Sequence, residues 1–407
     1  MKHDLIYDWN DAGDAPRRPA HRIEFDDETL RDGLQSPSVV SPPVDRKIEI
    51  VRLMDSMGID TADIGLPGAG SAVLADTLAI ARAMAEERMR IVPNCAARTL
   101  EADLRPIADI AQRTGRPVAA AMFIGSSPIR QYAEDWTLET VAAATRNATE
   151  FAVKNGIEVM YVTEDTTRSN PKDLEVLFRT AIEAGARRLC LCDTCGHATP
   201  HGVRNLVGWT RTLLETHGFS HVRIDFHGHM DRGLGVWNAI AALEAGAHRL
   251  HGTALGIGER VGNAPMDQIL VNLKLLGWIE NDLSRLFEYC TKVSEYAGVP
   301  IPHGYPVAGQ DAFATATGVH AAAIVKAMKK GDRWLADRVY SGVPAADFGR
   351  EQGIAIGPLS GRSNVAFWLE QRGHQATEPR VNAILEMAKR SNRLLSEEEI
   401  LQVVRKG

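Results

Sequence analysis

The chain alternates short apolar, β-branched runs with longer stretches whose apolar positions recur at helical spacing. The short runs have the character of buried parallel strands. They begin near Ile23, Asp60, Met89, Pro117, Ile157, Arg187, Val222 and His248. Between and after them lie "RKIEIVRLMDSMG", "AVLADTLAIARAMAEE", "LEADLRPIADIAQRTG", "TLETVAAATRNATEFAVKNG", "PKDLEVLFRTAIEAG", "GVRNLVGWTRTLLETHG", "GLGVWNAIAALEAG" and "APMDQILVNLKLLG". Several close on Gly, a frequent helix terminator. Eight strand-then-helix units predict an α/β fold, a closed (β/α)8 TIM barrel over residues 21–280. A doubly wound open sheet is the alternative. The unit count favours the barrel, as do polar motifs at the C-terminal strand ends, where such barrels carry their chemistry.

Residues 281–407 change character. They read as a C-terminal helical region: "NDLSRLFEYCTKVSEYAG", "GVHAAAIVKAMKKGDR", "RSNVAFWLEQRG", "EPRVNAILEMAKRSN" and "SEEEILQVVRK", joined by Pro/Gly-rich turns. Residues 1–20 read as an N-terminal arm with "DAGDAPRRP" as a joint, and they lack the apolar stretch of a secretory signal.

Composition narrows the classes. A formal net charge of −6 offers no electrostatic footprint for nucleic acid or an anionic membrane. No apolar run is long enough to span a bilayer. Five cysteines in 407 residues suit a reducing cytoplasm better than a disulfide framework. The expectation is a cytoplasmic protein.

Candidate chemistry gathers at the predicted strand ends. His227 and His229, in "DFHGHM", are two apart on a strand and so point the same way. Alone, the pair reads more readily as two satisfied polar histidines at a strand end than as metal ligands. "DDETLRDGLQS" at the end of the first strand adds Asp32 as a carboxylate and Arg31 as a fixed cation. Asn263 closes "GIGERVGN" after the eighth strand. First, seventh and eighth strands are neighbours in a closed barrel, so Asp32, His227, His229 and Asn263 converge. Mixed N/O ligation suits Mn2+, Mg2+ or Zn2+ with positions left for a chelating 2-oxo acid.

The same stretches carry a resemblance. "DETLRDGLQSPS", "VTEDTTRSNP", "CDTCGHATP", "FHGHMDRGLGVWNAIAALEAGA" and "HGTALGIGERVGNAPMDQIL" resemble the metal-dependent acyltransferase and lyase superfamily. It includes 2-isopropylmalate, homocitrate, citramalate and Re-citrate synthases and hydroxymethylglutaryl-CoA lyase. "AFATATGVHAAAIVKA" and "GPLSGRSNVAFWL" resemble synthase segments beyond the barrel. The resemblance implies Asp32, His227 and His229 as metal ligands, with Asn263 direct or through water. It implies Arg31 as the group facing the developing oxyanion, Gln35 near the substrate and Thr194 on a substrate carboxylate. Glu164 and His320 match groups assigned to proton transfer, and Tyr340 is a further candidate, equally readable as a packing residue. In the synthases the histidine reaches the partner subunit's barrel, which implies a domain-swapped homodimer.

The lyase branch carries a cysteine in the loop after the eighth strand. Here that loop has none, and the His320 segment belongs to the synthases. Leu34 is shared with the lyases and points the other way. The balance implies a Claisen-condensing acyltransferase: acetyl-CoA joins a 2-oxo acid, and thioester hydrolysis releases CoA. A binding or scaffold protein that has lost catalysis is a further alternative, which retention of the whole residue set argues against.

Met160 and Val162 stand where homocitrate synthases place polar residues for a second carboxylate. An apolar lining disfavours an unpaired charge and favours an aliphatic substrate side chain, hence 2-isopropylmalate-synthase-like activity within leucine biosynthesis. Arg130 could meet an anion instead, or simply pair with Glu134 or Asp135. Homocitrate, citramalate, Re-citrate and natural-product variants remain alternatives. The chain ends at Gly407, where longer synthases continue into an amino-acid-binding regulatory domain, so no feedback control through such a domain is expected. The Cys192–Cys195 spacing reads as part of a strand-end turn rather than a redox or zinc pair.

Overall fold

The computed structural model describes residues 5–13 and 18–406; the expected joint "DAGDAPRRP" falls partly outside them. The chain divides into two compact units, Met1–Asp282 with Lys292–Val299, and Leu283–Thr291 with Pro300–Gly407.

The first unit is a closed parallel barrel in sequential strand order. Its strands are β1 (Glu24–Asp27), β2 (Thr61–Asp63), β3 (Val92–Arg98), β4 (Ala119–Gly125), β5 (Val159–Glu164), β6 (Arg188–Asp193), β7 (Arg223–Gly228) and β8 (Arg249–Gly252). Pairing of Glu24 with Arg249 and of Asp27 with Gly252 closes the ring. The intervening helices are α1 (Val44–Ser56), α2 (Ser71–Glu86), α3 (Glu101–Thr114), α4 (Pro128–Ala133), α5 (Leu138–Lys154), α6 (Pro171–Glu183), α7 (Pro200–Thr216), α8 (Gly235–Ala245) and α9 (Met266–Leu275). Three of them start by one local rule. Ser127, Asn170 and Thr199 each cap a helix whose first residue is Pro, accepting from the N–H of Arg130, Asp173 and Gly202.

Alternation along the strands sorts side chains between barrel interior and helix layer. On β5, Val159 and Tyr161 are fully buried, and the Tyr161 hydroxyl meets Thr145 of α5 at 3.0 Å. Met160 packs with Ala121, Cys190 and Cys192, and Val162 lies against that cluster. Full burial of each large apolar side chain contributes about 1.5–3 kcal/mol. The interior is unusually polar at the ends of β1, β7 and β8: Asp26, Glu28, Asp225, His227, His229, Arg249 and His251 are all buried. The segment 292–299 belongs to this unit, through Val40 N–H to Ala297 O at 2.9 Å and Tyr296 Oη to Glu49 at 2.6 Å.

The second unit takes in part of α10 (Leu286–Ala297), then α11 (Gly318–Lys329), α12 (Arg333–Arg338), α13 (Arg362–Gln371), α14 (Glu378–Arg390) and α15 (Glu397–Lys406). Val365, Trp368 and Leu369 of α13 pack with Val381 and Ile384 of α14 and Ile400 of α15. This region is not wholly helical. β9 (Ala314–Thr315) and β10 (Gly353–Ile354) form a two-stranded parallel sheet. No helix among the described residues is long and apolar enough to cross a membrane.

Candidate active site

The turn after β1 supplies the anionic and cationic groups together. The Arg31 guanidinium donates to Asp63 at 2.7 Å, Asp32 at 2.9 Å and Glu28 at 3.0 Å. Three carboxylates thus fix its plane, since a guanidinium fork has donors for all of them. Thr29 Oγ1 accepts from the Ala254 N–H at 2.8 Å, tying this turn to the loop after β8.

His227 is the next-to-last residue of β7 with His229 just beyond the strand, and the Nε2 atoms of both lie 3.7 Å from Asp32 Oδ2. The ligand-capable atoms of Asp32, His227 and His229 lie within 4.8 Å of one another, and all three residues are buried. Asn263 is held against His229 by a β-bridge. Its Nδ2 donates to Asp32 Oδ2 at 2.6 Å, while its buried Oδ1 has no partner. A half-turn of the amide would present that oxygen to the same place. One carboxylate, two imidazoles and one orphaned amide oxygen fit a divalent cation of borderline hardness. Two glycines let the loop close this tightly. A Cβ at Gly258 would lie 2.0 Å from Asn263 Oδ1, and at Gly262, with φ of +100°, 1.8 Å from Gly256 O.

The buried charges set one another's protonation. Burial raises the Asp63 carboxyl to about 7 against the pull of Arg31. Burial would also raise Glu28, but the facing His227 and His251 outweigh it and hold it well below its ordinary value. For His227, burial is outweighed by Glu28 and Asp32, giving about 9; His229, buried beside His227, falls to about 4.

Beside these groups is a cavity of about 250 Å³. Arg31, Asp32, Gln35, Thr194, His227, His229 and Glu164 line it with Leu66, Ala96, Ala121, Phe123, Val162 and Cys192. Thr194 Oγ1 accepts from the Asp165 N–H at 2.8 Å, which leaves its own proton to give. Arg130 pairs with Glu134 at 2.9 Å, and its Nε lies 3.6 Å from Glu164 Oε1. It is absent from the cavity wall. Burial raises the Glu164 carboxyl above its ordinary value, Arg130 opposing.

Met160 does not reach this cavity. It lines a larger space of about 480 Å³ at the opposite strand ends, and its sulfur lies 3.0 Å from Arg249 Nη2. Met160 and Val162 share a face, but Met160 is one layer deeper, so it cannot line the cavity that Val162 lines. Asp193 accepts from the N–H groups of His197 and Ala198, so the "CDTCG" segment is a turn. Cys192 and Cys195 form no disulfide. His320 and Tyr340 both lie in the second unit, where their rings stack. Residues not singled out from the sequence, Glu28, Asp63 and His251, complete the polar interior. Their signal was available: polar residues at alternate positions of barrel strands, where a packed core would be apolar.

The chain is thus a closed parallel TIM barrel with an acid, two imidazoles and a pinned arginine gathered at one end. Residues 22–293 match the HMGL-like family, and the chain belongs to it. It is 32% identical to homocitrate synthase AksA of Methanopyrus kandleri, over 89% of this chain and 86% of that protein. It is 30% identical to 2-isopropylmalate synthase of Solidesulfovibrio magneticus, over 93% of this chain and 72% of that protein. Among solved structures, hydroxymethylglutaryl-CoA lyase from Pseudomonas aeruginosa superposes with a TM-score of 0.58 at 18% identity, over 69% of this chain and 94% of that one. That likeness shows the shared fold.

Proposed function

We propose that the protein is a metal-dependent acyltransferase that condenses acetyl-CoA with an aliphatic 2-oxo acid, as 2-isopropylmalate synthase does. The observation that carries the reading is the convergence of Asp32, His227 and His229 beside Arg31 in a cavity with one apolar side, formed by Leu66, Ala96, Ala121, Phe123 and Val162. Asp32, His227 and His229 would hold the cation, with Asn263 as a further donor. Bound there, a divalent ion supplies Lewis acidity to the keto group of the acid.

The chain's own groups supply the rest. Arg31, held rigid by Asp63, presents positive charge where the oxo group becomes an oxyanion. Thr194 has a hydroxyl proton free for the substrate carboxylate. Glu164, at the cavity edge, takes part in removing the methyl proton of acetyl-CoA, with His320 and Tyr340 completing the apparatus from the second unit of a partner subunit. The new carbon–carbon bond joins the acetyl methyl carbon to the keto carbon, and water then cleaves the thioester to release CoA. The apolar wall excludes a second carboxylate, because a buried unpaired charge is costly. This favours a branched aliphatic acid over 2-oxoglutarate. The loop Thr253–Asn263 carries no thiol, which supports condensation over lyase cleavage.

Thiol release from acetyl-CoA, measured with Mn2+ across 2-oxoisovalerate, pyruvate, oxaloacetate and 2-oxoglutarate, tests this. The expected result is fastest release with 2-oxoisovalerate. Preference for 2-oxoglutarate would refute the reading of the apolar wall.

A further inference from the structure

We infer that Glu28 is a positioning residue that fixes the ring of His227 for the cation, and that His251 holds Glu28 in place. The inference rests on reading Asp32, His227 and His229 as metal ligands.

His227 has two ring nitrogens with different tasks. Nε2 faces Asp32 Oδ2 at 3.7 Å, and Nδ1 faces Glu28 Oε2 at 2.6 Å. A carboxylate on one nitrogen fixes the proton there, leaves the lone pair on the other, and raises the basicity of that ligand. His229 shows the contrast: its Nδ1 is buried with no partner. The protein therefore sets the tautomer of one histidine of the pair and not of the other.

Glu28 is itself spoken for on both oxygens. Oε2 meets His227, and Oε1 lies 3.0 Å from Arg31 Nη2 and 3.1 Å from His251 Nδ1. It is 3% exposed. His251, 1% exposed, has its other nitrogen 3.3 Å from Asp225 Oδ2. Both of its nitrogens thus face carboxylate acceptors, so both must donate. Asp225 in turn accepts from Arg249 at 2.8 Å and from Arg188 at 2.8 Å. A continuous column of paired charge runs through the barrel interior and ends on His227. Its members come from β6, β7, β8 and the residue directly after β1, so the strand register holds the ring orientation. Glu28, His227 and His251 are also close enough to suggest an ion of their own. The 2.6 Å contact between His227 Nδ1 and Glu28 is a hydrogen bond and leaves no room for one.

Calorimetric titration of Mn2+ into metal-stripped full-length protein reads affinity without turnover. Glu28→Gln keeps the shape, loses the charge, and can accept from only one of the two histidines. The expected result is a Kd raised about 10–100-fold, the usual effect of losing such a partner, with Asp32→Asn raising it at least as far. A folded Glu28→Gln protein with the wild-type Kd would overturn the positioning role and leave the metal site standing. Wild-type protein that binds no Mn2+ would overturn the metal reading, and this inference with it. Nitrogen-15 NMR of histidine-labelled wild-type protein loaded with Mg2+ needs no variant. The expected spectrum has the His227 proton on Nδ1, and a proton on Nε2 alone would overturn the assignment.

Discussion

His320 and Tyr340 stack in the second unit with ring centroids 4.2 Å apart and an interplanar angle of 30°. Both residues are exposed, Tyr340 at 48%. An exposed imidazole stacked on a phenol is available to act on a substrate outside its own unit. If it completes the barrel site of a partner subunit, two inactive variants should complement each other. His227→Ala and His320→Ala are each expected to lower turnover about 100-fold or more. Mixed, unfolded together and refolded, they should recover about a quarter of the wild-type sites, because each hybrid dimer holds one intact site. No recovery from a mixture shown to contain hybrids would place His320 in its own subunit's site.

Glu164 predicts the acidic limb of the pH profile. Burial raises its carboxyl above the ordinary value. A base works ionised, so kcat/KM should rise with pH through that raised value and fall away below it. Glu164→Gln should lower kcat about 100-fold or more and abolish that limb. A limb that persists unchanged in Glu164→Gln assigns it to another group.

Val162 predicts specificity. It is the β5 side chain on the cavity wall next below Glu164. Val162→Arg should lower kcat/KM for 2-oxoisovalerate about tenfold or more and improve the ratio for 2-oxoglutarate, because the added cation pairs a carboxylate that the wild-type wall leaves unpaired. Competition between the two acids for one enzyme sample reads this ratio directly.

His248 predicts a loss of stability in acid. It stacks on His21 at 4.4 Å, and its Nδ1 accepts from the Ile224 N–H at 3.1 Å. Burial and the neighbouring His21 lower its value from 6.5 to about 4. A depressed histidine favours the neutral folded form, so its contribution is full above 6.5 and is lost as pH falls toward about 4. The Tm of His248→Gln should therefore depend less on pH than that of the wild type across this window, as differential scanning calorimetry would show.

The barrel was legible because its signals are local. Every expected strand start lies within three residues of the observed one, from Ile23 against Glu24 to Met89 against Val92. Convergence of Asp32, His227, His229 and Asn263 followed from closure alone, since β1 and β8 pair. Depth was not legible. A period of two puts Met160, Val162 and Glu164 on one face, but strand tilt and register decide which layer each occupies, and Met160 lies below the cavity. Nor was the inner column legible as a unit. Glu28, Asp225 and His251 are far apart in the chain, and each alone reads as an ordinary polar residue at a strand end. The short β9–β10 pair has no sequence signal, because two-residue strands carry no periodicity.

The proposed reaction at Asp32, His227 and His229 joins two carbons. The most direct test is mass spectrometry of the products from acetyl-CoA and 2-oxoisovalerate, incubated with the protein and Mn2+. The expected products are 2-isopropylmalate and free CoA in equal amounts, both lost when the metal is chelated and both lowered about 100-fold or more in His227→Ala. Free CoA without the condensed acid, or cleavage of a hydroxyacyl-CoA with no condensation, would contradict it.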